Sequence, residues 1–537
     1  MTDTRPASLT EKIFLALAVI LIAMAAYLQW SSGDGGDKGW LLLAARMWLS
    51  GKRLYLDIFE TNMPLIIWVY SIPAWLSLHL EGIQDVQLLH LMVLLAVGCS
   101  LLLTDRLMRF HPAFAPYARK RAWHTILLGF ILVLWANPAF FGDREHLFLV
   151  LALPYIMRCS PSLARIALPL PLRLGVACMG AVGFCIKPHC VMVFLGIQVL
   201  ALLRERSLRF LWSLENCIIG AAGLAYLLSA RLLVPEFFHD VLPMELASYG
   251  GYNMGAIRVM FFIPPLLTLG AAFADFRLRD VSPYRRDILY FAVICALLLL
   301  YVFVNNGWGY TFYPLGSMAL FLTAWLWWEF RWLKQDAAVR GVPFRRATEG
   351  SWVCALVLGA HLMLTLLPYA LVYSGAMPVP KEEPDIAMDV ADFMKKQQFH
   401  TFGGMAATFR VWPVLNRTLG AQLETRFHCL WMIPSFVMEG EGFVKKNAWI
   451  PAYVAKALAE DMEKNKPEVM FVDTSPEFFH SRKPLDLVAY FSVVPAFREA
   501  WKHYAWLQRI DHCDDKDSSG NKKEQFKCRY DAFRRIN

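Results

Sequence analysis

The chain of 537 residues is 57% hydrophobic with a mean hydropathy of +0.40, too apolar for an ordinary soluble protein and too long for one small domain. Its net charge of +9 does not indicate nucleic acid, because the cations gather in short loops between apolar runs. The eleven cysteines include no CxxC pair, which speaks against a structural zinc site.

Residues 1–12 are polar and carry Arg5 and Lys12; residues 13–30 are apolar. Ala23-Met24-Ala25 resembles a signal-peptide cleavage site, but the apolar run continues to Trp30, so we read it as an uncleaved first span. Next comes residues 37–65, with Asp37, Asp57 and Glu60, and with Asp34 just ahead. A helix-like stretch at 39–48 precedes Gly51-Lys52-Arg53, and Asn62-Met63-Pro64 opens the next apolar run. Carboxylates at a membrane boundary are site candidates, since burial and nearby charge can tune them as bases or ligands.

Further apolar runs lie at 65–80, 88–104, 123–136, 147–157, 174–186, 191–203, 211–233, 259–274, 288–304, 315–328 and 352–372. With the first, they predict a polytopic α-helical membrane protein of about 11–13 membrane helices, some of the short ones paired, tilted or re-entrant. Basic loops around Arg106–Arg121, Arg158–Arg173, Arg204–Arg209, Arg277–Arg286 and Arg331–Arg346 read as cytoplasmic. Loops 137–146, 187–190, 234–257 and 305–314 are poorer in cations and read as extracytoplasmic. One conflict arises: if 65–80 and 88–104 both cross, the Arg106–Arg121 loop falls outside.

Past residue 372 the composition turns charged and loses long apolar stretches. Residues 455–465 read as a helix and 468–473 as a buried strand, the pattern of a small α/β domain. We therefore expect a transmembrane domain at 1–375 and an extracytoplasmic α/β domain at 376–537. Residues 506–512 and 524–530 suit a hairpin about a polar tip flanked by Cys513 and Cys528. In an oxidising compartment these two can form a disulfide, with Cys429 a third candidate.

A second acidic cluster, Asp143-Arg144-Glu145-His146, opens the run 147–157 on the same predicted side as Asp37. Charges entering a membrane segment are costly unless paired or hydrated, which makes them a functional hypothesis; a surface ion pair through Arg144 is the plainer reading. Lys187 and Arg258 are candidate cations for a lipid phosphate, with His189 beside the first; a snorkelling Lys187 is the alternative. Trp308 and Tyr310 offer ring faces and polar tips suited to a sugar, although aromatic belts look alike.

Residues Asp37-Lys38-Gly39-Trp40, Ala44-Ala45-Arg46-Met47, Gly51 and Glu60-Thr61-Asn62-Met63-Pro64-Leu65 resemble the first extracytoplasmic loop of the GT-C glycosyltransferases. The bacterial protein mannosyltransferases and lipid A aminoarabinose transferases come nearest. Lys38 stands where that family often has Glu, and Met63 replaces its first Pro. Arg144-Glu145-His146-Leu147 is similar to an element of the bacterial members, in the place of their second acidic motif.

The resemblance implies an enzyme of the bacterial inner membrane with a periplasmic C-terminal domain. It would move a sugar from a polyprenyl-phosphate donor to a glycan, lipid or protein acceptor, with inversion. Asp37 would be the general base, with Glu60, Asp143 and Glu145 positioning the acceptor or tuning the base. Lys187, Arg258 and His189 would meet the donor phosphate. Asp34, Asp57, Arg144, His146, Trp308 and Tyr310 are left as acceptor or sugar contacts. A divalent metal shared by Asp37 and the Asp143/Glu145 pair stays open. Membrane lipids are expected neighbours and nucleic acid is not. The competing classes are a transporter or flippase, for which no twofold repeat is visible, and a non-catalytic envelope assembly protein.

Overall fold

The computed structural model describes residues 9–33, 36–134, 140–249, 284–305, 308–335, 385–475, 484–511 and 529–536, with a few positions between 352 and 359. Asp34, Arg258, Cys513 and Cys528 lie outside the described residues, as do the loop 336–350, the run 259–274 and most of the run 352–372. The chain forms two compact units, each assembled from separate stretches. Met1–Gly33, Gln87–Leu228 and Met254–Val379 make the first; Asp34–Val86, Ser229–Asn253 and Pro380–Asn537 make the second.

The first unit is helical. Among the described residues of the whole chain, four helices are long and apolar enough to cross a membrane: Lys12–Ser31, Asp85–Met108, Leu214–Leu233 and Arg285–Val304. They mark the chain as a membrane protein, and each coincides with one of the long apolar runs, 211–233 losing its first three residues. Only 11% of the first helix's apolar window is buried in the protein, against 50% for Arg285–Val304, so the first is a peripheral span and the last a central one. The run 65–80 yields a helix of 13 residues, Leu65–Ser77, with Pro73 inside it. That helix rises about 20 Å, short of a hydrocarbon core of roughly 30 Å. Asp85–Met108 is thus the one full-length crossing between residue 65 and the Arg106 cluster, which removes the conflict in the charge pattern.

The basic clusters are tied down by buried acids. Lys120 pairs with Glu329 at 2.6 Å, and Glu215 takes both Arg158 and Arg173, at 3.0 and 2.8 Å. Behind Glu215, Tyr155, Gln198 and Asn216 close a ring of hydrogen bonds: Tyr155 donates to Asn216, Asn216 to Gln198 and Gln198 to Tyr155. A closed polar ring leaves its members satisfied away from water. The Arg144–Arg158 and Leu170–Cys185 helices approach closely because Gly183 has no side chain. A Cβ there would lie 2.9 Å from Leu151 Cβ and 3.2 Å from the Ala152 nitrogen.

The second unit contains a five-stranded sheet. Its strands are β1 (Thr401–Met405), β2 (Gln422–Leu423), β3 (Val469–Asp473), β4 (Tyr504–Asp511) and β5 (Arg529–Arg535). They lie in the order β2-β1-β3-β5-β4, with β1 parallel to β2 and β3, and β5 antiparallel to β3 and β4. Every residue of β3 is buried, as the apolar run 469–472 requires of a central strand, and Asp473 closes it. Gly404 in β1 lets the Trp412 ring lie on the sheet, since a Cβ would fall 2.5 Å from the indole. Helices Asp385–Gln397 and Trp449–Lys464 complete the α/β layers.

The acidic segment after the first span belongs to this second unit. Asp37–Leu49 forms a helix whose residues 38–45 are all buried. Arg46 meets Asp85 at 2.5 Å and donates to Asn416 Oδ1 at 3.0 Å, and Lys52 donates to the Leu423 carbonyl at 2.8 Å. The following loop then runs alongside residues 426 and 427: the Phe59 N–H donates to the Arg426 carbonyl at 2.8 Å, and Phe59 pairs in parallel with Phe427.

Candidate functional site

In the second unit, Asp37 is the first residue of its helix, where the helix dipole favours a negative charge. It is half-buried. Glu60 is 1% exposed, and its carboxylate accepts from four donors. Trp40 Nε1 bonds Oε2; Thr61 Oγ1 at 3.2 Å, the Asn62 N–H at 2.8 Å and the Asn62 side-chain amide bond Oε1. Three donors on Oε1 and one on Oε2 hold the carboxylate in place, so Glu60 is fitted to organise the loop. Asp57 serves the turn ahead of it: Oδ2 accepts the Arg53 N–H and Nε, at 3.0 and 3.1 Å. Partial burial works against the Asp57 charge, but these bonds and the Arg53 and Lys464 charges hold its pKa below the usual range. Tyr55, at φ +66°, turns the chain here, and its hydroxyl donates to the Asn62 carbonyl at 2.6 Å.

His428, in the segment after β2, completes the cluster. Its imidazole lies on the Trp40 indole, with centroids 4.3 Å apart and planes 13° from parallel. His428 Nδ1 is 3.2 Å from the Phe59 carbonyl, and a carbonyl only accepts, so the proton is on Nδ1. Burial pushes the His428 pKa below its ordinary value, against the upward pull of Glu60, the Phe59 bond and Asp37. The ring is therefore neutral at pH 7. Next to it Arg426 grips Asp461 with Nε and Nη2, at 3.0 and 2.8 Å to Oδ1. Burial opposes the Arg426 charge, yet the bonds to Asp461 raise its pKa. Arg426 thus makes a domain-internal ion pair, while His428 joins the acidic loop.

In the first unit, Gly142 at φ +88° makes the turn into the Arg144–Arg158 helix, with Asp143 at its N-cap position. Glu145, 1% exposed, pairs with Lys187 and accepts from the Tyr301 hydroxyl at 3.3 Å. Lys187 also lies over the Tyr310 ring, 5.3 Å from its centroid. The close helix approach at Gly183 is what brings the acid and the cation together. A buried pair thus takes the place of the snorkelling Lys187 considered from sequence, and Arg144 beside Glu145 is itself buried. Two buried atoms in this cluster, Glu145 Oε2 and His189 Nδ1, have no hydrogen-bond partner among the described residues.

His146 is committed to the backbone: the Gly142 N–H donates to Nδ1 at 3.1 Å, and Nε2 donates to the Leu132 carbonyl at 2.8 Å. That leaves neither ring nitrogen for a sugar. The Trp308 carbonyl accepts from the Thr311 N–H and hydroxyl, at 2.9 and 2.6 Å, which starts the helical turn carrying Tyr310. Among the described residues no group of three or more His, Cys, Asp or Glu side chains is placed to hold a metal ion. Trp40, Asn62 and Tyr301 received no role from the sequence. Trp40 sits inside the segment that carries the resemblance, one helical turn after Asp37, and that spacing was the available signal.

No family model matches the chain. No curated protein matches it either. Among solved structures it is similar to the arabinofuranosyltransferase AftD from Mycobacteria, at 13% identity and a TM-score of 0.45, covering 100% of this chain and 40% of that one. A point mutant of the same enzyme gives 13% identity, a TM-score of 0.42 and coverage of 99% and 42%. The chain therefore spans about two fifths of the length of the enzyme it matches.

Proposed function

We propose that the chain is an inverting glycosyltransferase of the GT-C type. It moves a sugar from a polyprenyl-phosphate donor to an acceptor at the periplasmic face of the bacterial inner membrane. The observation that carries the reading is the unequal state of the two loop carboxylates. Asp37 is half-buried at a helix start, whereas Glu60 is buried and filled with donors. Asp37, at the start of its helix, is the proposed general base.

The acceptor hydroxyl or amine attacks the anomeric carbon as Asp37 takes its proton. The bond from that carbon to the phosphate oxygen breaks, and its electron pair leaves on the lipid phosphate. Attack opposite the leaving group inverts the centre. Lys187 and Arg258 are the proposed cations for the departing phosphate, with Lys187 sharing its charge with Glu145. Trp308 and Tyr310 are the proposed sugar contacts. The test is purified protein in detergent with a polyprenyl-phosphate sugar and a panel of acceptors. Transfer that disappears in Asp37→Asn supports the reading. Movement of intact lipid or solute across a bilayer without transfer replaces it with a transporter.

A further inference from the structure

We propose that His428 is a positioning residue for the acidic loop, setting the Trp40 indole and the Phe59–Asn62 backbone from within the C-terminal α/β domain. The proposal deepens the glycosyltransferase reading and rests on it only for its activity measurement.

Both faces of the argument are geometric. His428 is itself held by the domain core. Its carbonyl accepts from Trp412 Nε1 at 2.7 Å, and Trp412 is the ring seated on Gly404 of β1. On either side of it, the Glu424 N–H donates to the Phe402 carbonyl at 2.8 Å, and the Leu430 N–H to the Ala406 carbonyl at 2.7 Å. Phe409 packs on the imidazole with centroids 5.5 Å apart. The segment 424–430 is thus fastened at both ends, to β1 and to the residue that follows it, and His428 is presented from a rigid element.

Its contacts outward all fall on the loop. The ring stacks on Trp40, and Trp40 donates to Glu60. Nδ1 donates to the Phe59 carbonyl while the Phe59 N–H is taken by Arg426, so both polar groups of one loop residue are fixed by the domain. Trp40 follows Asp37 by three residues on one helix, which puts the two on the same face. A displaced Trp40 therefore moves the Asp37 face and frees a Glu60 donor in one step. The α/β domain is on this account part of the acidic site, not a separate binding module.

The experiment combines exchange and kinetics on the full-length protein in detergent. Amide hydrogen exchange over residues 53–62 is compared between wild type, His428→Phe and His428→Ala. His428→Phe keeps a ring for the stack and loses the Nδ1 donor, so it serves if His428→Ala does not fold. The expected result is faster exchange in this loop with unchanged exchange in β1 and β3. In the transfer assay, His428→Phe and Trp40→Phe should each lower kcat roughly 10–100-fold, the scale of a small misplacement, with donor KM within about twofold. The double variant should be no worse than the poorer single, because one acts through the other. Unchanged loop exchange in both His428 variants overturns the proposal, as do additive losses in the double variant. If wild type transfers no sugar at all, the glycosyltransferase reading fails while the exchange result still decides the role of His428.

Discussion

The Trp40 indole and the His428 imidazole lie flat against each other at 4.3 Å, one from the first loop and the other from the C-terminal domain. The pair joins two segments far apart in the chain into one unit. It also determines what surrounds Glu60, because the same indole donates to that carboxylate.

Asp37→Asn keeps the size of the side chain and removes its charge. As the proposed general base, its loss should lower the transfer rate about 10²–10⁴-fold with donor affinity little changed. Glu60→Gln and Glu145→Gln should be milder in rate, and Asp34→Asn is the control for the neighbouring acid. Collapse in Asp34→Asn beside a normal Asp37→Asn would move the base to Asp34.

The stability of the second unit should depend on pH through His428. Burial holds its folded pKa below the ordinary 6.5 that it regains on unfolding. Between those two values the unfolded chain binds more protons, so stability rises with pH. The contribution is complete above about pH 6.5 and is lost as pH falls toward the folded value. Melting of the second unit at pH 7.5 and 5.5 should show a drop on acidification, and His428→Asn should flatten the difference. An equal drop in that variant would assign the effect to other groups.

The Glu145–Lys187 pair is buried, and removing one partner strands the other charge. Lys187→Met alone should cost about 3–5 kcal/mol, whereas Lys187→Met with Glu145→Gln should recover much of it. Thermal unfolding in detergent of the two singles and the double gives the coupling. Additive losses would mean that the two side chains act independently.

Two neighbouring glycines of β1 should respond differently to alanine. At Gly404 the added Cβ meets the Trp412 ring at 2.5 Å, and a rigid indole cannot step aside. At Gly403 the nearest atom is Met470 Sδ, the end of a flexible chain. Gly404→Ala should destabilise by about 1–3 kcal/mol, the range for overpacking, and Gly403→Ala by less. Denaturation of the two variants reads the order directly, and a reversed order would show that the indole relocates.

A periplasmic C-terminal domain predicts that a reporter fused after Asn537 is active only in an extracytoplasmic form. In the same compartment Cys513 and Cys528 should be linked, closing a loop of about 15 residues worth roughly 3 kcal/mol. Thiol labelling without reductant should leave both unmodified. A cytoplasmic reporter signal would reverse the topology, and labelling of both cysteines would remove the bond.

Membrane helices were legible in the sequence because a bilayer-length apolar run is a local property. The runs 13–30, 88–104 and 288–304, and all but the first three residues of 211–233, each lie within one helix long enough to span. The strand at 469–473 was equally plain, since residues 469–472 are apolar and the strand is buried on both faces. So was the position of the acidic loop, from the carboxylates of residues 37–60 beside the first span. The tertiary structure alone decided how Glu60 is enclosed. Glu60 is filled by Trp40 and Asn62, and Trp40 is held by His428 of a distant segment. Likewise Lys187 reads as a lone cation until the glycine contact between two helices delivers Glu145 to it. Periodicity and composition report which way a segment faces over a few turns. Which side chains meet across segments depends on how the segments pack, and that is settled by the summed fit of the whole fold.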